Sequence, residues 1–121
     1  MMGNRQIQQF PNLVYSEEAL DKWTRNPDIC QNAQRKIVEA FTYLNAYGTD
    51  YNYLGKRITN TKRDGIWELK IKGKSKMEWR FLFKHVAGSE YAILHFFLKK
   101  DEAIRKQDMD TAARIAAREG W

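Results

Sequence analysis

A chain of 121 residues is large enough for one hydrophobic core and not for two, so residues 1–121 read as a single domain. The net charge is +6, and it is unevenly placed: residues 55–106 carry 14 Lys/Arg against 6 Asp/Glu, while residues 1–54 and 107–121 each come to −1. An excess confined to one stretch suits a polyanion met on one surface, whereas the one cysteine, Cys30, excludes an intramolecular disulfide and a thiolate metal cluster.

No apolar leader is visible in the first 15 residues and no run is long enough to span a bilayer. The expectation is a cytoplasmic protein with no membrane partner. Residues 1–11 (MMGNRQIQQFP) are polar and expected to be ragged, and Leu13 to Tyr15 forms a short extra extended piece joining the sheet. Ser16 is a good N-cap, with Glu17 and Glu18 in the first turn where the helix dipole favours negative charge. A short helix follows to about Arg25, burying Leu20 and Trp23.

Asn26-Pro27 is expected to cap and start a second helix, since proline loses nothing at the first helical position. Ile29, Ala33, Ile37, Ala40, Phe41 and Leu44 then share one stripe, and the helix ends at Gly48. Cys30 lies beside that stripe as apolar filler. Residues 49–65 read as a long polar connection with two basic pairs, Lys56-Arg57 and Lys62-Arg63, near Tyr51 and Tyr53. Two readings stand for it: a surface for single-stranded nucleic acid, held by phosphates and base stacking, or a solvated loop with a tyrosine folded onto the core.

Ile66–Lys72, Met77–Lys84 and Tyr91–Lys100 alternate apolar and polar residues and read as a three-stranded antiparallel meander. If Trp67, Leu69 and Ile71 are to share a face with Trp79, Phe81 and Phe83, then Lys70 lies opposite Arg80. A two-residue Gly88-Ser89 turn sets Phe83 across from Leu94, Phe81 from Phe96 and Trp79 from Leu98. The opposite face then carries Glu68, Lys70, Lys72, Glu78, Arg80, Lys84, His95 and Lys99, broken by Leu82, Ile93 and Phe97. Like charges directly across two strands are unfavourable, so Lys70 against Arg80 points to a bound phosphate. A last helix, capped by Asp101 and running to about Arg118, has a weak apolar stripe and is expected to dock loosely or to be buried against a partner chain. The fold class is α+β: a small antiparallel sheet, an N-terminal helical hairpin on one face and a C-terminal helix.

The chain has no glycine-rich phosphate loop, no HExxH, no Gly-x-Ser-x-Gly and no carboxylate cluster suited to magnesium, so neither a metal nor a cofactor is expected. His85 reads as a strand-end histidine on the aromatic side. His95 stands among cations on the basic side, where those cations should disfavour its charged form. Phosphate binding by Lys70 and Arg80 is the first reading of this row. One step beyond it, a neutral His95 removes the proton of a ribose 2′-hydroxyl while Arg80 and Lys70 stabilise the charge on phosphorus.

The runs Trp67-Glu68-Leu69-Lys70-Ile71, Trp79-Arg80-Phe81-Leu82-Phe83 and Ile93-Leu94-His95-Phe96-Phe97-Leu98-Lys99-Lys100, in that order and spacing, resemble the HigB-like, phage-associated branch of the RelE/ParE toxin superfamily. The likeness covers roughly residues 16–118. It implies a sheet flanked by helices and the toxin of a toxin–antitoxin pair that cleaves mRNA, usually on the ribosome, without a metal. It also implies a helix-turn-helix antitoxin as partner. Carried over by position, the family's strand arginine corresponds to Arg80 and its post-strand lysines to Lys99 and Lys100. Lys70 stands where the family more often has arginine, and Asp101-Glu102-Ala103-Ile104-Arg105 replaces its usual Thr-x-Lys-Thr-Pro.

Together these give an expected catalytic set of Arg80 and Lys70 on the phosphate, His95 as base or acid, and Lys99 on the leaving oxygen. Lys72, Lys56, Arg57, Lys62, Arg63 and Lys100 would guide the RNA. The competing expectations are a ParE-like, non-enzymatic topoisomerase inhibitor and an RNA-binding domain without toxicity.

Overall fold

The computed structural model describes residues 5–7, 10–74, 77–99 and 106–121. Among them six strands form one sheet: β1 (Arg5–Ile7), β2 (Phe10–Tyr15), β3 (Ile58–Arg63), β4 (Ile66–Lys72), β5 (Glu78–Ala87) and β6 (Glu90–Lys99), in the order β1-β2-β6-β5-β4-β3. The expected meander is β4-β5-β6 at the centre, and it is widened on both sides. β2 pairs parallel to β6, with Leu13, Val14 and Tyr15 facing Tyr91, Ala92 and Ile93, so the N-terminal piece is a true strand.

On the other side, residues 58–63 are strand rather than loop. Asp64-Gly65 is a hairpin signal, and both residues adopt positive φ (54° and 71°) between the paired Arg63 and Ile66, as a primed two-residue turn requires. β3 starts only at Ile58, opposite Leu69. The last residues of β4, Lys70 to Lys72, therefore run on beyond it.

Lys70 faces Arg80, Leu69 faces Phe81 and Ile71 faces Trp79, the register that the alternation implies. Between β5 and β6, Trp79 faces Leu98 and Phe81 faces Phe96, but Phe83 faces Ile93 instead of Leu94. Two irregularities cause this, one that leaves Val86 extra on β5 and a second that leaves Leu94 extra on β6. The first slips the register by one residue and the second restores it, so the segment between them, Tyr91 to Leu94, exchanges faces while the rest of β6 keeps the expected one. Ile93 joins the aromatic core and Leu94 the opposite one.

Helix α1 (Glu17–Thr24) begins where expected: the Ser16 Oγ accepts the Ala19 N–H at 3.0 Å and donates to the Leu94 carbonyl at 2.7 Å. Helix α2 (Gln31–Tyr47) starts later than the sequence suggests, with Cys30 as its N-cap. The reason is local: the Asn26 side chain accepts the Asp28 N–H at 2.9 Å, closing an Asx turn that competes with helix. Ala33, Ile37, Ala40, Phe41 and Leu44 of α2 are buried against Phe10, Leu13, Tyr15, Phe81 and Ile93, with Trp23 of α1 edge-on to Phe41 and Phe81.

Helix α3 (Tyr51–Leu54) and a 3-10 turn (Gly55–Arg57) lead into β3. Helix α4 (Lys106–Glu119) packs on the opposite sheet face. The expected Asp101 cap lies outside the described residues. Loose docking is not what is found: Met109, Ala112, Ile115 and Ala116 are buried with Val14, Ile66, Leu82, Ala92 and Leu94 in a second core. Four modest side chains on adjacent stripes suffice because the facing strands are apolar at that end.

Candidate nucleic-acid interface

The face of β4, β5 and β6 that was expected to be a row of cations in solvent divides into three zones. Under α4 it is apolar. In the middle, Arg80 is 3 % exposed, with its guanidinium 3.0 Å from Glu68 Oε2 and also paired with Glu78 Oε1. Glu68 precedes Lys70 by two residues and Glu78 precedes Arg80 by two, so both carboxylates fall on the same face as the two cations. The Arg80 half of the like-charged pair is thus compensated from within the sheet, so its place opposite Lys70 does not by itself call for a bound anion. The Arg80 Nε, buried, has no hydrogen-bond partner among the described residues.

His95, opposite Leu82, is 4 % exposed, and its Nε2 lies 2.9 Å from Asp108 Oδ1 in the first turn of α4. A carboxylate only accepts, so Nε2 carries the proton. Burial pushes the imidazole below its ordinary pKa, with the Asp108 hydrogen bond opposing. The imidazole is held neutral as expected, chiefly by burial rather than by neighbouring cations, and it is turned towards a helix instead of into solvent. His95 and Arg80 therefore do not form an open pair on one exposed surface. His85 is exposed, its Nε2 2.6 Å from the Gly88 carbonyl.

The third zone is where the basic residues meet. Because β4 outruns β3 and the α3 segment bends aside, an open cleft of about 650 Å³ lies between the β4 end, α2 and the 3-10 turn. Lys70, Ile71 and Lys72 supply one wall, Lys36 and Glu39 of α2 another, and Tyr53, Leu54, Lys56 and Arg57 a third, with Glu78 at the β5 side. Arg57 pairs with Glu39 at 3.0 Å, and Glu78 is engaged by Arg80. Lys36, Lys56, Lys70 and Lys72 have no carboxylate within 4.0 Å among the described residues; the Lys36 Nζ reaches only the Lys72 carbonyl, at 3.4 Å. Four uncompensated ammonium groups around one cleft concentrate positive potential there.

Of the residues assigned from the sequence, Lys70, Lys72, Lys56 and Arg57 are brought together, and Lys36 joins them. Sequence spacing had no means of finding Lys36, which is polar on an amphipathic helix like its neighbours. Lys99 is half-buried opposite Glu78, at the near end of the same face. Lys62 and Arg63 are at the far end of β3. There Arg63 bonds Asp110 of α4 at 2.6 Å and Asp64 at 3.3 Å, which makes it a strut between the hairpin and the helix. Lys100 lies outside the described residues.

Beside the cleft stand three tyrosines. Tyr47 and Tyr53 stack face to face, with ring centroids 3.6 Å apart and planes at 7°, and Tyr43 leans on both at 6.3 and 6.1 Å. Tyr47 is 49 % and Tyr53 44 % exposed. Among the described residues no three His, Cys, Asp or Glu side chains gather into a metal-binding group, and no helix is long and apolar enough to cross a membrane.

No curated protein matches the chain. A family model does: that of the phage derived protein Gp49-like (DUF891) family, over residues 28–116, a span that takes in α2, the cleft, the meander and most of α4. With the match extending over most of its length, the chain belongs to the phage-derived Gp49-like family, a RelE/toxin-like family.

Proposed function

We propose that this protein is the toxin of a type II toxin–antitoxin pair, of the HigB-like branch, and that it arrests translation by cleaving mRNA without a metal, on the ribosome. It would act in the cytoplasm and be neutralised by a helix-turn-helix antitoxin. The observation that carries the reading is the cleft at the end of β4: Lys36, Lys56, Lys70 and Lys72 face one opening with no carboxylate partner among the described residues, on a chain whose family is toxin-like.

In internal transesterification the ribose 2′-hydroxyl gives up its proton and its oxygen attacks the adjacent phosphorus. The bond to the 5′-oxygen breaks and that oxygen takes up a proton, leaving a 2′,3′-cyclic phosphate. Charge accumulates on the non-bridging oxygens on the way. Lys70 and Lys72, on a rigid strand, supply positive charge at that point, and Lys56 and Arg57 hold the flanking backbone. Lys99 stands on the leaving-oxygen side. Arg80, buried and paired with both Glu68 and Glu78, contributes from beneath by bracing β4 against β5 under the cleft wall rather than by offering charge to the phosphate. With the proton on Nε2 and held by Asp108, the basic lone pair of His95 is on Nδ1. With the ring 4 % exposed, His95 serves as base only if the site opens to bring a ribose against it.

Burial of Arg80 and His95 favours one second reading, a toxin-like RNA binder that does not cleave. Induced expression with mapping of mRNA 5′ ends separates the two. New ends that appear in the wild type and vanish in Lys70→Ala/Lys72→Ala support cleavage at this cleft. Arrest with intact messages refutes it, and DNA-damage signalling with intact messages would point to topoisomerase inhibition.

A further inference from the structure

Folding does not account for the Tyr47–Tyr53 pair. Two large aromatic rings, each close to half exposed, sit on a strongly charged surface and are the large apolar side chains left most open to water among the described residues. Their orientation is fixed. Tyr43 and Tyr47 are one helical turn apart on α2, Tyr53 comes from α3, and the three rings brace one another. Tyr53 also lines the cationic cleft, together with Lys56 and Arg57 only three and four residues further along the chain.

We infer that the Tyr47–Tyr53 pair is a base-stacking platform, which seats an unpaired nucleobase of a single strand whose phosphates run through the Lys36/Lys56/Lys70/Lys72 cleft. Ring faces presented next to ammonium groups are the combination that holds single-stranded nucleic acid, since every base has a face to stack and every linkage a charge. Because the rings already hold each other, a base docking on them orders no further side chain. The platform would place a base beside the scissile linkage rather than take part in the chemistry. An acidic protein segment would also meet the lysines, but it has no use for a half-exposed stack of aromatic rings.

This inference rests on the cleft binding RNA, and the test separates the two. A labelled 2′-O-methyl octanucleotide, which lacks the 2′-hydroxyl needed for cleavage, is titrated against the full chain together with a matched octanucleotide carrying abasic sites. The platform predicts that Tyr47→Leu/Tyr53→Leu weakens binding of the base-bearing strand by about ten-fold or more while binding of the abasic strand changes little. Tyr47→Phe/Tyr53→Phe, which keeps both ring faces, should bind like wild type, and unchanged far-ultraviolet circular dichroism confirms that the leucine variant is folded. If the leucine variant holds both strands as tightly as wild type, while Lys70→Ala/Lys72→Ala loses both, the platform is refuted and the cleft stands. If the lysine variant also binds like wild type, both ideas fall. Should the leucine variant keep its RNA affinity but escape its antitoxin, the tyrosines are a protein-docking surface and the inference is overturned.

Discussion

The 2.9 Å bond from His95 Nε2 to Asp108 Oδ1 ties the middle of β6 to the first turn of α4. Burial depresses the imidazole pKa, so the folded protein resists a proton that the unfolded chain takes up near pH 6.5. Stability from this group is therefore complete above that value and declines as pH falls towards the folded pKa. The thermal midpoint should drop between pH 7 and pH 5, and His95→Gln, which keeps a donor for Asp108 but does not titrate, should flatten that part of the profile. An unchanged slope in the variant would show that His95 is not the titrating link.

Arg80 is expected to matter for folding before it matters for function. Its removal strands Glu68, which is 5 % exposed and whose Oε2 pairs with the guanidinium, and breaking a buried pair from one side typically costs about 3–5 kcal/mol. Arg80→Ala should lose stability on that scale in urea denaturation. Arg80→Met combined with Glu68→Gln should lose clearly less than Arg80→Ala, because no lone charge is left behind. A loss of toxicity in Arg80→Ala alone thus says little about phosphate binding until stability has been measured alongside it.

Arg118 grips Glu18 with two hydrogen bonds, at 2.5 and 2.9 Å, joining α1 to the last turn of α4. The guanidinium holds the Glu18 carboxyl down at about 2, against an ordinary value of 4.5. A depressed carboxylate stabilises above the unfolded value and loses that contribution as pH falls through the folded one. Acid titration between pH 4.5 and 2 should accordingly destabilise wild type more than Glu18→Gln, and the difference should shrink in 1 M salt as roughly expected of an exposed pair. Equal acid sensitivity of the two proteins would remove this clamp from the account.

Gly48 closes α2 with φ +63° and ψ −139°, its N–H bonded to the Leu44 carbonyl at 2.9 Å. A β-carbon there would lie 2.5 Å from the Tyr91 hydroxyl oxygen, and the backbone conformation is one that side-chain-bearing residues avoid. Gly48→Ala should destabilise by about 1–3 kcal/mol. Adding Tyr91→Phe should return the part due to the oxygen and leave the part due to the backbone, a split that chemical denaturation of the three variants can read.

Alternation alone located β4, β5 and β6 and the Lys70–Arg80 register, because period-two patterning is strong where one sheet face is packed by aromatics. It could not reveal the two bulges at Val86 and Leu94: they cancel, and a sequence in which both Ile93 and Leu94 are apolar fits either arrangement. The Asp64-Gly65 turn signal for β3 went unused in reading residues 49–65 as a connection, because the polar composition of residues 58–63 suits a loop as well as an edge strand. The site was harder to read. Glu68 and Glu78 look like solvent-facing neighbours in the sequence, and only the placement of Glu68 diagonally across from Arg80, with Glu78 two residues before it on the same strand, makes them its counterions. Asp108 lies 13 residues beyond His95, on a helix whose docking the weak stripe concealed.

The cleft makes a quantitative claim about salt. Each phosphate neutralised on a single strand contributes a slope of about −0.7 to the dependence of log K on log salt. If Lys70 and Lys72 each meet a phosphate, Lys70→Ala/Lys72→Ala should reduce the magnitude of the slope by about 1.4, whereas Lys70→Arg/Lys72→Arg should leave it nearly unchanged. Lys62→Ala is the control, since Lys62 is exposed at the far end of β3, near the hairpin turn and outside the cleft. Titrations of a non-cleavable oligonucleotide at several salt concentrations give all three slopes. If Lys62→Ala lowers the slope as much as the double variant does, binding is spread over the whole basic surface and the cleft has no special standing. A fall confined to the β4 pair assigns the strand its path along the end of the sheet.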